Sequence, residues 1–376
     1  MKHSRILVVD DEPGMLRAIE RVQGGAHHVI GSGSARDAVS LAIDFKPELA
    51  ILDIRMPELD GFDLMARLKT HQPDLDVILM TGSLEDQDEK LIRAIRGRAY
   101  YFIQKPFDRE VLKTLVERCL ELRWYREENR RHLQRMETEL TEARAFQQGL
   151  LPAREAIIDG VAVCCRYTPC SEVGGDLYDY AVDRSGHTAL LIADVSGHGA
   201  SAAMLTGIVK SAFRSSHVEG YEPLSVVERV RNSLATFSPE RFITVFAAVV
   251  ATEERRLVYV NAGHPPGLLW SGDRRTERLE STGPLISPAF RASQWERLVV
   301  PIAEGDQLLL YTDGVSEAWV GDHDFGEERI RTAIERHAGG GAPLLDAILA
   351  DLNHHFGNHP QTDDLTLLTA RVLALS

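Results

Sequence analysis

Long hydrophobic runs are missing from this chain of 376 residues, and none approaches the roughly 18 apolar residues that a membrane-spanning helix needs. The start, Met1-Lys2-His3-Ser4-Arg5, has no apolar core of a signal peptide and meets charge again at Asp10. A soluble, cytoplasmic protein without membrane insertion is expected. Cysteine is scarce, and Cys119, Cys164, Cys165 and Cys170 form neither a zinc spacing nor a disulfide framework. Reduced, mostly structural thiols suit a cytosolic compartment. Positive charge is also short, with 42 Lys and Arg against 56 Asp and Glu for a net charge of -14. Such a field does not favour nucleic acid, and residues 153–376 show no basic recognition helix. No loop suited to holding ATP phosphates argues for a nucleotide cyclase or kinase output. No well-placed cysteine-containing phosphate loop argues for a cysteinyl mechanism.

What is present is abundant acid at the ends of apolar runs. The chain is too long for one ordinary core. In residues 1–122, Ile6-Leu7-Val8-Val9 ends at Asp10-Asp11 and Leu49-Ala50-Ile51-Leu52 ends at Asp53. Val77-Ile78-Leu79-Met80 ends at Thr81, and Tyr101-Phe102-Ile103 leads to Lys105-Pro106. Helical patterns, such as Ala35–Phe45 and 61–68, fall between these runs. Continuous β-branched runs joined by helices predict a doubly wound parallel sheet covered on both faces. Its carboxyl edge gathers three carboxylates, a hydroxyl and a lysine. Asp10, Asp11 and Asp53 can hold one Mg²⁺, and Asp53 can attack a phosphoryl donor. Lys105 can pair with phosphoryl oxygens, and Thr81 offers a hydroxyl whose bonding changes after transfer.

Residues 123–152 read as a helical connector. Leu115, Leu122, Met136, Ala143 and Leu150 are spaced by multiples of seven, with Asn129 in the remaining place. Cys119, Leu133 and Leu140 form a neighbouring stripe. Heptad spacing predicts a coiled-coil homodimer, in which a buried Asn sets register. Arg126 and Gln147 break the pattern, and an isolated exposed helix is the alternative. Gln148-Gly149-Leu150-Leu151-Pro152 ends the helix.

Residues 153–376 carry strand signals at 160–167, 188–193, 242–251, 256–260, 267–270, 307–311 and 365–372. Helices are expected over 200–215 and 223–237, and from near Glu327 and Pro343. This alternation predicts antiparallel sheets flanked by helices, an α/β layered domain. Acidic islands punctuate it: Gly174-Gly175-Asp176, Asp194-Val195-Ser196-Gly197-His198-Gly199, Thr312-Asp313-Gly314, and Asp363-Asp364-Leu365-Thr366. Unpaired carboxylates beside apolar runs are costly, and two or more Mg²⁺ or Mn²⁺ ions would neutralise them. Two such ions roughly 3.5–4 Å apart can clamp a phosphate monoester. Phosphate-ester hydrolysis is the expected chemistry.

Two family resemblances sharpen these readings. Asp10-Asp11, the run Asp53-Ile54-Arg55-Met56-Pro57-Glu58-Leu59-Asp60-Gly61, Thr81 and Lys105-Pro106 resemble the response-regulator receiver domain. That likeness implies phosphorylation of Asp53 by a histidine kinase or other phosphodonor, a metal contact from the Arg55 carbonyl, and a cis bond before Pro106. It also implies a switch through Thr81, Lys105 and an aromatic, here Phe102 without a tyrosine hydroxyl. The usual Gly-Ala before the last strand is Arg98-Ala99.

The later islands, in order with Leu150-Leu151-Pro152, Arg241-Phe242-Ile243-Thr244, Asn261-Ala262-Gly263-His264-Pro265-Pro266 and Thr312–Ala318, resemble the bacterial PP2C-like serine/threonine phosphatases of sporulation and general stress. The resemblance implies Asp176, Asp194, Asp313 and Asp364 as catalytic metal-holding carboxylates. The Val195 carbonyl would be a further ligand, at a position where the family often has Gly. It implies a phosphorylated anti-sigma-factor antagonist as substrate. His198 and His264 are equally open to a structural role. A non-catalytic adaptor controlled by Asp53 phosphorylation is the alternative function.

Overall fold

The computed structural model describes residues 3–57, 59–82, 101–197, 199–235, 237, 240–272, 275–290, 294–337 and 339–373. The chain forms two compact units, Met1–Arg135 and Met136–Ser376.

In the first unit, strands β1 (Arg5–Val9), β2 (His28–Ser32), β3 (Leu49–Asp53), β4 (Asp76–Thr81) and β5 (Tyr101–Gln104) form one sheet in the order β2-β1-β3-β4-β5. Every pairing in it is parallel. Helices α1 (Pro13–Gln23), α2 (Ala35–Phe45) and α3 (Gly61–His71) connect the strands. Ser34 and Asp60 cap α2 and α3 by accepting from the amides of Asp37 and Asp63. Alternate residues of β1, β3 and β4 feed two apolar clusters on opposite faces, which is why these strands read as unbroken hydrophobic runs. The chain reverses its winding between β1 and β3, so a crevice opens at their carboxyl ends.

Helix α4 (Arg109–Leu150) is 42 residues long. Leu112, Val116 and Cys119 pack beneath the first sheet. Farther along, Arg126 Nη2 donates to both carboxylate oxygens of Asp76, each at 3.0 Å. Among the described residues no helix is long and apolar enough to cross a membrane.

The second unit has two antiparallel sheets. One orders β14 (Leu298–Pro301), β11 (Arg256–Ala262), β10 (Ile243–Ala251), β9 (Thr188–Val195) and β8 (Asp176–Val182). The other orders β13 (Thr276–Leu279), β12 (Gly267–Trp270), β15 (Gln307–Tyr311), β16 (Leu365–Val372), β7 (Val161–Thr168) and β6 (Glu155–Ile158). Tyr178, Leu190, Ile192, Phe246, Leu310 and Leu368 fill the space between the sheets. Helices α5 (Ala200–Ser215) and α6 (Pro223–Leu234) cover the first sheet. After the short α7 (Asp313–Ser316), helices α8 (Glu327–Arg336) and α9 (Gly341–Phe356) cover the second. The result is a helix–sheet–sheet–helix sandwich.

Strand β8 was not expected from the sequence. Its segment Asp-Leu-Tyr-Asp-Tyr carries two acids, which hide the apolar alternation. Both acids are buried: Asp179 is neutralised by Lys210 and Arg214 of α5, and Asp176 belongs to the site. Asp194 lies inside β9 rather than after it, because the strand continues to Val195.

Candidate functional site

At the crevice of the first unit, ligand oxygens of Asp10, Asp11 and Asp53 lie within 4.8 Å of one another. Asp10 and Asp53 are buried, whereas Asp11 is exposed. Lys105 Nζ stands 2.7 Å from Asp10 Oδ2 and 3.0 Å from Asp53 Oδ2. Burial pushes the Asp53 carboxyl up, against the pull of Lys105, and the Arg55 amide donates to it. Burial acts to lower the Lys105 ammonium, but its bonds to Asp10 and Asp53 prevail and hold it above the usual lysine range. Thr81 is buried at the tip of β4, its carbonyl accepting from the Lys105 amide at 2.6 Å. The Lys105-Pro106 bond is cis, and Phe102 is half-buried on β5. Buried oxygen donors with one exposed carboxylate fit a hard divalent cation. Glu58, Arg98 and Ala99 lie outside the described residues.

The second unit builds its acidic site at one end of the two sheets. Antiparallel register sets Asp176 of β8 directly opposite Asp194 of β9, with Thr244 of β10 opposite Asp194 on its other side. By strand alternation Asp176 and Asp194 share the inter-sheet face with Tyr178 and Ile192. Two hydroxyls from the other sheet meet Asp176 Oδ2, Thr312 at 2.8 Å and Thr366 at 2.6 Å. Asp313 opens α7 just beyond β15, and Asp364 directly precedes β16. The Asp364 carboxylate accepts from the amides of Cys170 at 2.8 Å, Gly175 at 2.6 Å and Asp176 at 3.4 Å. A side chain at Gly174 would collide with Asp364 Oδ2 and the Tyr167 hydroxyl, so this close wrapping requires glycine.

Burial, then the charges of Asp194 and Asp364, pushes Asp176 well above the usual carboxylate range. Asp194 is pushed up to about 7 by burial and then by Asp313, Asp363 and Asp364, although a bond with Asp176 opposes the shift. Asp313 rises to about 6 through burial, Asp363 and Glu317. A buried set of carboxylates this reluctant to ionise fits hard divalent cations, which would supply the missing positive charge. Raised native values stabilise the fold at acid pH, below the unfolded value of about 3.9, and that contribution is lost as pH rises through the native values. Metal-free protein in EDTA should therefore lose thermal stability between about pH 4 and pH 8 from these acids. Mn²⁺ should restore most of it at the alkaline end. Thermal unfolding across pH with and without Mn²⁺ checks this, and a metal effect no larger at the alkaline end than at the acid end would contradict it.

Sequence reasoning did not assign roles to Thr312 and Thr366, although each stands beside an acidic island. His264 is buried, with Nδ1 2.8 Å from the Thr244 hydroxyl, and burial lowers it to about 3. Its bond ties it to the strand beside Asp194. His198 lies outside the described residues. Arg241 donates to the Ser196 carbonyl and the Ser201 hydroxyl, both at 2.9 Å, and so braces the loop after Asp194.

Fold and acids together define a response-regulator receiver domain joined to a PP2C-like phosphatase domain. Residues 184–373 match the Stage II sporulation protein E (SpoIIE) family, and the chain belongs to that family. Residues 6–117 match the response regulator receiver domain. The chain is 30% identical over 234 residues to the phosphoserine phosphatase RsbP of Bacillus subtilis, covering 60% of this chain and 56% of RsbP. It is 36% identical over 138 residues to the regulatory protein AtoC of Escherichia coli, covering 36% of this chain and 29% of AtoC. The SiaA PP2C domain of Pseudomonas aeruginosa superposes with a TM-score of 0.57 at 23% identity, over 64% of this chain and 98% of that one. This last likeness establishes the fold.

Proposed function

We propose that the protein is a cytoplasmic, metal-dependent protein serine/threonine phosphatase whose turnover is set by phosphorylation of Asp53. The observation that carries this reading is the buried Asp176–Asp194 pair, which feels the charges of Asp313 and Asp364 and has no balancing cation among the described residues it contacts. Asp176, Asp194, Asp313 and the Val195 carbonyl would hold the ions, and Asp364 would complete the set while fastening the 170–176 loop. Bound Mg²⁺ or Mn²⁺ would neutralise phosphoryl oxygens and activate water. Thr312 and Thr366 both donate to Asp176 Oδ2 and so orient its carboxyl. Burial disfavours the charged form of His264, which makes it a poor choice for a cationic general acid.

Similarity to the phosphoserine phosphatase RsbP supports a phosphoserine-bearing substrate. A phosphorylated anti-sigma-factor antagonist is the substrate of this reading, since removing phosphate changes which charged partner it pairs with. A histidine kinase or other phosphodonor would charge Asp53 beside Mg²⁺ held by Asp10, Asp11, Asp53 and the Arg55 carbonyl. The signal would pass through Thr81, Phe102 and Lys105 into residues 123–152. Exposed Leu133 and Met136 on α4 favour a homodimeric coiled coil there.

The test is Mn²⁺-dependent phosphate release from a phosphoserine-bearing antagonist, with and without beryllofluoride. Release that changes with the analogue is expected, and Asp53→Asn should remove the change. Release insensitive to beryllofluoride would sink control through Asp53. Binding of the antagonist without release would identify an adaptor.

A further inference from the structure

Gln147 stands out on α4 as a nearly buried amide, 5% exposed, near the end of a helix that is largely exposed over its preceding two dozen residues. It does not point into an apolar core. Its Nε2 donates to the Gly174 carbonyl at 2.6 Å, and its Oε1 accepts from the Gly174 amide at 3.1 Å. A third, longer contact runs from Nε2 to the Thr206 hydroxyl of α5 at 3.4 Å. One side-chain amide therefore satisfies both polar groups of a single buried residue. Neither of the two peptide units that flank the Gly174 Cα can rotate without losing its bond to Gln147.

The next two residues after Gly174 join Cys170 in donating to Asp364. The Gly175 amide is 2.6 Å from Asp364 Oδ2, and Asp176 donates to the same oxygen while starting the strand that faces Asp194. The Gly175 carbonyl in turn accepts from the Val195 amide at 3.1 Å. Gly174 is thus the first link of a short backbone chain that touches Asp364, Asp176 and Val195. The nearby helix end is itself anchored, because Leu151 packs against the apolar clusters on both faces of the sheet that holds β8 and β9.

We infer that Gln147 is a positioning residue of the acidic centre, fixing the two peptide units that flank Gly174 so that residues 174–176 hold Asp364 and set Asp176 against Asp194. The inference rests on the phosphatase reading for its consequence in catalysis, but not for its consequence in structure or metal binding. Outer partners of metal-holding groups typically contribute about 10–100-fold in metal affinity.

The experiment uses the full chain carrying Gln147→Met, which keeps length and burial but removes the donor and the acceptor. Hydrogen exchange of the metal-free protein should speed up by about tenfold or more at residues 170–177. Exchange in β10 should stay unchanged. Calorimetric Mn²⁺ affinity should fall by about tenfold or more, and phosphate release should fall more at limiting than at saturating Mn²⁺. Gln147→Asn, which retains the amide but withdraws it by one methylene, should move the same readings in the same direction and guards against a folding defect in the first variant. Unchanged local exchange and an unchanged Mn²⁺ isotherm in a folded variant would overturn the inference. A lowered melting temperature with an unaltered isotherm would reduce Gln147 to a structural contact and overturn it too. If wild-type protein releases no phosphate while the exchange and Mn²⁺ shifts appear, the phosphatase reading fails and the positioning role stands.

Discussion

Asp194→Asn should reduce Mn²⁺-dependent phosphate release by about 10³-fold or more, beyond the roughly 10–100-fold typical of a lost outer partner. The same substitution should raise the stability of the metal-free protein at pH 8. The two effects have one cause. Asp194 is buried beside Asp176 and is pushed up to about 7, so at alkaline pH its ionisation works against the fold. An amide of equal shape cannot ionise and escapes that repulsion, but it is a poor ligand for a hard cation. After allowance for sharing with Asp176, the gain is on the order of 2 kcal/mol, or about 4 to 8 °C for a domain of this size. Phosphate release and thermal unfolding in EDTA read the two halves separately. A variant that lost activity and also became markedly less stable would show that Asp194 serves packing rather than charge.

Asp179→Ala should markedly destabilise the second unit. Asp179 is fully buried, with Lys210 Nζ and Arg214 Nε each 2.8 Å from its Oδ2. Arg214 also donates to the Tyr180 carbonyl. These bonds seat α5 on β8, and α5 starts immediately after the loop that follows Asp194. Breaking a buried ion pair typically costs about 3–5 kcal/mol. Both cations here retain some access to water, so the lower end applies, about 3 kcal/mol or 6 to 12 °C. Thermal unfolding of the full chain measures it. A loss below about 1 kcal/mol would mean that the cations re-solvate freely and that apolar packing alone seats the helix.

Much of this was legible in the residue order. The five receiver residues announce themselves because each follows an apolar run, and a parallel sheet brings every such end to one edge. The helix Ala200–Ser215 was readable in full from its local pattern. Other features were hidden for physical reasons. Arg126 and Gln147 look like defects in a heptad, yet each makes specific hydrogen bonds, to Asp76 and to Gly174. Those bonds depend on groups 50 and 27 residues away, which no helical period reveals.

Residue order alone carries the acid inventory, the alternation of strands and helices, and the glycines that permit tight wrapping, because these depend on chemistry and short-range geometry. Folding in three dimensions supplies the rest. Antiparallel register sets Asp176 against Asp194 across β8 and β9, and the stacking of a second sheet delivers Thr312 and Thr366 to Asp176. The Asp364 carboxylate meets amides 188 to 194 residues earlier in the chain. Such partnerships arise only when two sheet edges meet, since the favourable contacts belong to the packed pair and to neither segment before it.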